Sequence, residues 1–328
     1  MIRPALAALL LTSTAAFADT PSVTADIAPI HSLVAQVMGD LGQPDLLVRP
    51  GASPHGYSLR PSEARALDDA DLVVMVGERL TPWLMQPVET LAGQAHVVQL
   101  LDAPGTTLLE KRAGTMFERH DHADDADDHD HSDHAAKNDH GHDDDVHGAH
   151  QDAHDDTSLD PHAWLDPQNG AAWLEAIAAE LSELDPDNAA TYRANATAGM
   201  ERLAALEAEI TDSLPEGRSG FVVFHDAYQY FENRFGLSAA GSISLSDATA
   251  PSAGRVSELR EKIKDLRVTC IFTEPQFDPG IIAALDVDGL STASLDPMGT
   301  TANEGPDLYP QTLRAMGTAF ATCLGGQD

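Results

Sequence analysis

Between Asp185 and Pro215 the chain reads DPDNAATYRANATAGMERLAALEAEITDSLP, and this stretch limits the fold more than any other. Pro186 can open a helix and Pro215 can end one. Leu203, Leu206 and Ile210 recur at three- and four-residue spacing, and Ala196 and Met200 extend the stripe backward. A helix of about 27 residues is about 40 Å long. That is long for a globular domain and suits a strut between two lobes. A long surface helix of a single domain is the alternative.

On both sides of this segment, short apolar runs alternate with helical patterns. Before it, strands are expected at 22–28, 45–50, 71–77 and 96–101, with helices over 29–38 and from Arg60 onward, where Pro61 falls in the first turn. DLVVMVG (Asp71 to Gly77) is an unbroken apolar run, as in a strand buried on both faces. After it come GFVVFH, DAYQYFENRFG, RVSELREKIKDL, VTCIFTE and a closing helix over PDLYPQTLRAMGTAFATCL. Strands spaced by helices predict an α/β fold with mainly parallel sheets. The order is lobe, strut, lobe: 19–184, 185–214 and 215–328.

The first lobe is interrupted. Ten of the fifteen histidines lie between His120 and His154: His120, His122, His129, His131, His134, His140, His142, His147, His150 and His154. Residues 118–156 also hold fifteen acids against Arg119 and Lys137, a net charge of -13 out of -34 for the chain. So polar a tract cannot bury enough surface to fold alone, and 113–158 reads as a disordered insertion. The remaining -21 is still acidic. It repels nucleic acid and offers no basic patch, but it can draw in cations.

The first twenty residues, MIRPALAALLLTSTAAFADT, place Arg3 before an apolar run and Ala16-Phe17-Ala18 before Asp19. This is the pattern of a secretory leader over 1–18, cleaved so that the mature chain starts near Asp19, in a periplasm. No cysteine follows the run to carry a lipid, and no later run is long enough to span a bilayer. In an oxidising compartment the two cysteines, Cys270 and Cys323, read as a disulfide tying the last helix to a core strand. Two buried free thiols are the alternative.

Five histidines lie outside the tract. His55 follows the strand over 45–50, His162 precedes a helix in LDPHAWLDP, and His225 ends FVVFH. Ligands of open α/β sheets bind at the carboxyl ends of strands. Three neutral imidazoles suit zinc, and Asp160, Asp166 and Asp226 stand near enough in sequence to accept their other ring N–H. Spacing alone supports this weakly; taken singly, such a histidine is more often an ordinary hydrogen-bonded surface or core residue. His31, in a first helical turn, and His96, at a strand start, are expected to be structural or exposed.

GASPHGYSLRPSEARALDDADLVVMVG, DPHAWLDP, FVVFHDAYQYFENRFGL, TCIFTEPQF and LDPMGT resemble the motifs of ZnuA-type zinc-binding proteins. These are the periplasmic solute-binding components of bacterial zinc ABC importers. The resemblance spans nearly the whole mature chain. It implies two βα lobes joined by one long rigid helix, with Zn2+ in the cleft as transported ligand. His55 and His162 would bind it from the first lobe and His225 from the second. Some relatives carry Glu just before the first ligand; Pro54 stands there, so the fourth place falls to Asp296 or water. Relatives selective for manganese usually carry a carboxylate where His225 stands. The implied partner is an inner-membrane zinc ABC permease, with no nucleic acid, no small organic substrate and a monomeric chain. The tract would be an accessory low-affinity site.

Two other readings use the same residues. A zinc hydrolase also employs three ligands and an open position, but no H-E-x-x-H is present, and Glu274 is the best stray base candidate; a structural carboxylate at a strand end is its plainer reading. A metal buffer or adhesin would make the tract the active part.

Overall fold

The computed structural model describes residues 20–112, 159–216, 219–244, 253–265, 268–276, 280 and 289–325. The leader at 1–18 and the insertion at 113–158, with its ten histidines, lie outside the described residues. The first lobe runs β1 (Val23–Ala25), α1 (Ala28–Met38), β2 (Asp45–Leu46), α2 (Pro61–Asp68), β3 (Leu72–Met75), α3 (Met85–Leu91) and β4 (His96–Gln99). Its strands are all parallel, in the order β2-β1-β3-β4. All four residues of β3 are buried, as the apolar run implied. The strand expected over 45–50 keeps only two residues of ladder. Leu47 and Val48 still donate to Ala25 and Asp26 before the chain leaves toward Pro50, which has no N–H to offer a sheet.

Two helices, α4 (Pro167–Leu184) and α5 (Ala189–Ser213), lead to the second lobe. This lobe contains β5 (Ser219–His225), α6 (Gln229–Phe235), β6 (Ser238–Ser244), α7 (Ala253–Asp265), β7 (Cys270–Thr273), β8 (Ser291–Ser294) and a closing helix α8 (Leu308–Gly325). Its sheet repeats the winding of the first: β6-β5-β7-β8, all parallel. β6 (SAAGSIS) and β8 (STAS) lack the apolar runs by which strands announce themselves. They are strands because β5 and β7 present ladders to pair with.

The long helix is less of a free strut than its sequence suggests. A 3-10 turn at Pro186–Asn188 precedes it, and Tyr192, Ala196, Gly199, Leu203, Leu206 and Ile210 form a buried stripe. That stripe packs on α4, α1 and α8. Gly199 is needed there, since a Cβ would lie 2.7 Å from Leu174 Cδ1. One continuous apolar core runs from Val23 and Leu33 through Trp164 and Tyr309 to Phe221 and Phe320. α8 serves both lobes. At its start Tyr309 donates its hydroxyl to Trp164 O (2.7 Å) and its N–H to Ser32 Oγ (3.0 Å). Near its end Cys323 is disulfide-bonded to Cys270, the first residue of β7. No described helix is long and apolar enough to cross a membrane.

Candidate metal centre

In each sheet the strand order reverses beside the first strand, and the crevice there is the natural ligand position. In the first lobe that point lies between β1 and β3 and is filled by Asp26. Its Oδ1 accepts from Ile27 N and its Oδ2 from Val76 N, both at 2.8 Å. Burial pushes this carboxyl up to about 7, against the pull of those amides. It is a clasp between strand ends. The corresponding point of the second lobe, between β5 and β7, holds His225 and Glu274.

His225 ends β5 and is 3% exposed. Its Nδ1 lies 2.5 Å from Glu274 Oε1, while Glu274 Oε2 accepts from Gln276 Nε2 at 2.7 Å. Glu274 is therefore the orienting carboxylate that the sequence reading sought in Asp226. His162 follows the insertion and is 7% exposed. Asp160 Oδ1 accepts from both its backbone N–H (3.0 Å) and its Nδ1 (2.7 Å). Burial pushes Asp160 up to about 7, opposed by the His162 amide and by Arg112. The oxygen that receives the His162 amide stays an acceptor, so Nδ1 carries the ring proton. In both pairs Nδ1 is the nitrogen bonded to the carboxylate, so Nε2 lies on the other side of the ring.

His55 is placed by a loop cinched around one buried acid. Glu63 Oε1 accepts from Arg49 Nε (2.7 Å) and Tyr57 OH (3.1 Å), and its Oε2 accepts from Arg60 N (2.7 Å). Trp83 Nε1 fixes Pro54 O at 2.8 Å. This brings His55 Nε2 to 3.4 Å from His162 Nε2. Two nitrogens sharing a tetrahedral zinc with bonds of about 2.0–2.1 Å stand about 3.3–3.4 Å apart. The ring centroids of His55 and His225 each lie 5.4 Å from that of His162. Imidazoles 107 and 63 residues apart in the chain thus meet where the lobes meet. Among the described residues no three side chains already close into a finished metal cage.

The other candidates have their own partners. Asp296 makes its hydrogen bonds within its own loop, its Oδ2 accepting from Thr301 N (2.9 Å) and from the Thr300 and Thr301 hydroxyls (each 3.0 Å). Its Oδ1 is buried without a hydrogen-bond partner among the described residues. Asp166 caps α4 by accepting from Gln168 N and takes a bidentate pair from Arg234 across the seam. Asp226 is held by Arg112. Neither orients an imidazole. His31 is buried rather than exposed, its Nε2 3.0 Å from Pro44 O, and His96 lies beside Glu180 on the surface. The sequence reading passed over Arg112 and Tyr230. The Tyr230 hydroxyl accepts from Leu109 N (2.9 Å) and donates to Asp160 O (2.8 Å), stapling both roots of the insertion to α6. No local pattern marks either residue.

Two like-wound parallel sheets around a spanning helix define a two-lobed α/β protein. The chain belongs to the ZnuA family, the zinc-uptake complex component A, periplasmic, whose family model matches residues 23–323. It is 46% identical over 333 residues to the high-affinity zinc uptake system protein ZnuA of Paracoccus denitrificans (strain Pd 1222), covering 99% of each chain. It is 43% identical over 309 residues to the protein of the same name from Brucella abortus (strain 2308), covering 93% of this chain and 92% of that one. In fold it resembles a crystal structure of ZnuA, with a TM-score of 0.70 and 24% identity, covering 93% of this chain and 99% of the other.

Proposed function

We propose that this chain captures Zn2+ in the periplasm and delivers it to an inner-membrane ABC permease for zinc uptake. The observation that carries this reading is the approach of His55 and His225 to His162 at the seam, with His162 and His225 each held through Nδ1 by a carboxylate. Three nitrogen donors suit zinc, and the fold supplies them from both lobes, so binding would tie the lobes together. Asp296 is the candidate for the fourth place, supported by its buried, unpaired Oδ1; water is the other. Zinc is cargo here, and the protein is not an enzyme. Glu274, the best base candidate, is already bonded to His225. The chain acts as a monomer, exported by a leader over 1–18. The histidines and aspartates of 113–158 form accessory, weaker sites that hold zinc near the cleft.

The test is titration of metal-free protein with zinc against a competing chelator. His55→Ala, His162→Ala and His225→Ala should each weaken the tight site by about 100-fold or more, since zinc loses one of at most four ligands. Full affinity in the triple variant would sink the assignment.

A further inference from the structure

His225 ends β5, and the buried Tyr230 stands in the first turn of α6, the next element of the second lobe. The Tyr230 hydroxyl is used twice, both times on the first lobe. It accepts from Leu109 N at 2.9 Å and donates to Asp160 O at 2.8 Å. A phenol can do both at once, since its oxygen carries a proton and a lone pair. Leu109 and Asp160 are also joined to each other, Asp160 N donating to Leu109 O at 2.8 Å. The neighbouring Glu110 and Leu159 form an antiparallel bridge. Asp160 then carries the link to an imidazole. Its Oδ1 accepts from His162 N at 3.0 Å and lies 2.7 Å from His162 Nδ1. The His162 ring stands 5.4 Å, centroid to centroid, from that of His225.

These contacts close a circuit. The chain joins His225 to α6, the Tyr230 hydroxyl joins α6 to Asp160, and the Asp160 carboxylate joins His162. Asp160 belongs to no strand or helix; only a 3-10 turn at Ala163–Leu165 follows. A carboxylate orients an imidazole only as well as its own backbone is held. Phenylalanine at this position would fill the same space but leave Leu109 N and Asp160 O without these bonds. We infer that Tyr230 is a positioning residue for metal capture: from the second lobe it sets where Asp160, and through it His162, stands relative to His225. It acts through Asp160 and does not touch the metal. This inference rests on the cleft being the zinc site.

The experiment is zinc titration of the metal-stripped full chain against chelators matched to each variant. Tyr230→Phe should lower the affinity about tenfold, at the low end for groups that orient a metal ligand without binding metal. Tyr192→Phe removes another buried hydroxyl, one bonded to Asp185 Oδ2, and should leave the affinity unchanged. A double-mutant cycle separates positioning from general loosening. In the His162→Ala background Tyr230→Phe should change the affinity by less than about twofold, because the ligand it positions is gone. Unchanged affinity in folded Tyr230→Phe, an equal loss in Tyr192→Phe, or an equal loss with and without His162 overturns the role of Tyr230 alone. A tight zinc site that survives loss of the three imidazoles overturns the cleft reading, and the role of Tyr230 with it. If Tyr230→Phe does not fold, hydrogen exchange in the unaltered protein decides. Zinc should slow exchange of the Leu109 N–H, which rests on the Tyr230 hydroxyl, more than that of the Val268 N–H, bonded to Ile263 O within the second lobe. Equal slowing overturns the inference.

Discussion

Glu274 and Asp160 hold His225 and His162 by different routes, one from a neighbouring strand end and one from two residues back along the same loop. Glu274→Gln keeps an acceptor at Nδ1 but removes the charge that makes the ring a better donor. Zinc affinity should fall about 10–100-fold with little change in the melting point of the metal-free protein. Unchanged affinity in competition titration would reduce Glu274 to a packing residue. His31 makes a separate prediction about acid. Burial lowers its pKa below 6.5, against the Pro44 carbonyl and the charges of Glu304 and Asp45. The unfolded chain therefore takes up the proton first, and the stability His31 contributes is complete above about pH 6.5 and lost as pH falls toward its folded value. Asp26 has the opposite sign. Its pKa rises from 3.8 to about 7 in the fold, so its contribution is complete below 3.8 and fades as pH rises through 7. In metal-free protein, His31→Gln should shrink the loss of melting temperature between about pH 7.5 and 5.5. An equal loss in calorimetry would show that His31 does not titrate there.

At the scale of elements, α8 ties the two lobes together. The Cys270–Cys323 bond closes a loop with a sequence separation of 53, anchoring the end of α8 to β7. The chain-entropy argument for such a loop gives about 4 kcal/mol. Replacing both cysteines by serine should cost about 2–4 kcal/mol in denaturant unfolding while the tight zinc site keeps its affinity. Loss of zinc affinity in the folded double variant would mean that the bond shapes the cleft as well. Elements with strong local patterns, β3, β5, α5 and α8, were legible in the chain. The two serine- and alanine-rich strands β6 and β8 were not, because their pairing partners rather than their own side chains make them strands.

For the whole molecule, charge and rigidity divide the work. One apolar cluster spans both lobes, and Arg234–Asp166, Arg112–Asp226 and Trp164–Pro297 cross the seam. On the proposed function, these contacts across the seam would hold His162 and His225 in place before the metal arrives. Deleting residues 118–156 should leave one tight zinc site of near-native affinity and abolish the weaker ones. It also removes a net -13 from the protein's -34, so zinc capture at low salt should slow and become less salt-dependent. Stopped-flow capture and equilibrium titration together check both outcomes. A tight site lost with the deletion would place the site in the tract.

Hydrophobic periodicity, helix-breaking prolines and unbroken apolar runs are local properties, so the sequence by itself determined the two βα lobes, the spanning helix and the strand-end position of His225, whereas His55 and His162 proved to lie in loops. The family motifs in which those histidines sit are equally local and supported the same reading. What only the tertiary structure decided was which groups meet. Glu274 rather than Asp226 faces His225, Asp166 turns to Arg234, His31 is buried, and Arg112 reaches across to α6. The Glu274–His225 pairing depends on strand order within one sheet, and those of Asp166 and Arg112 on how the two lobes meet. A carboxylate one residue from an imidazole leaves a strand end in a different direction, while one 49 residues away can point straight at it.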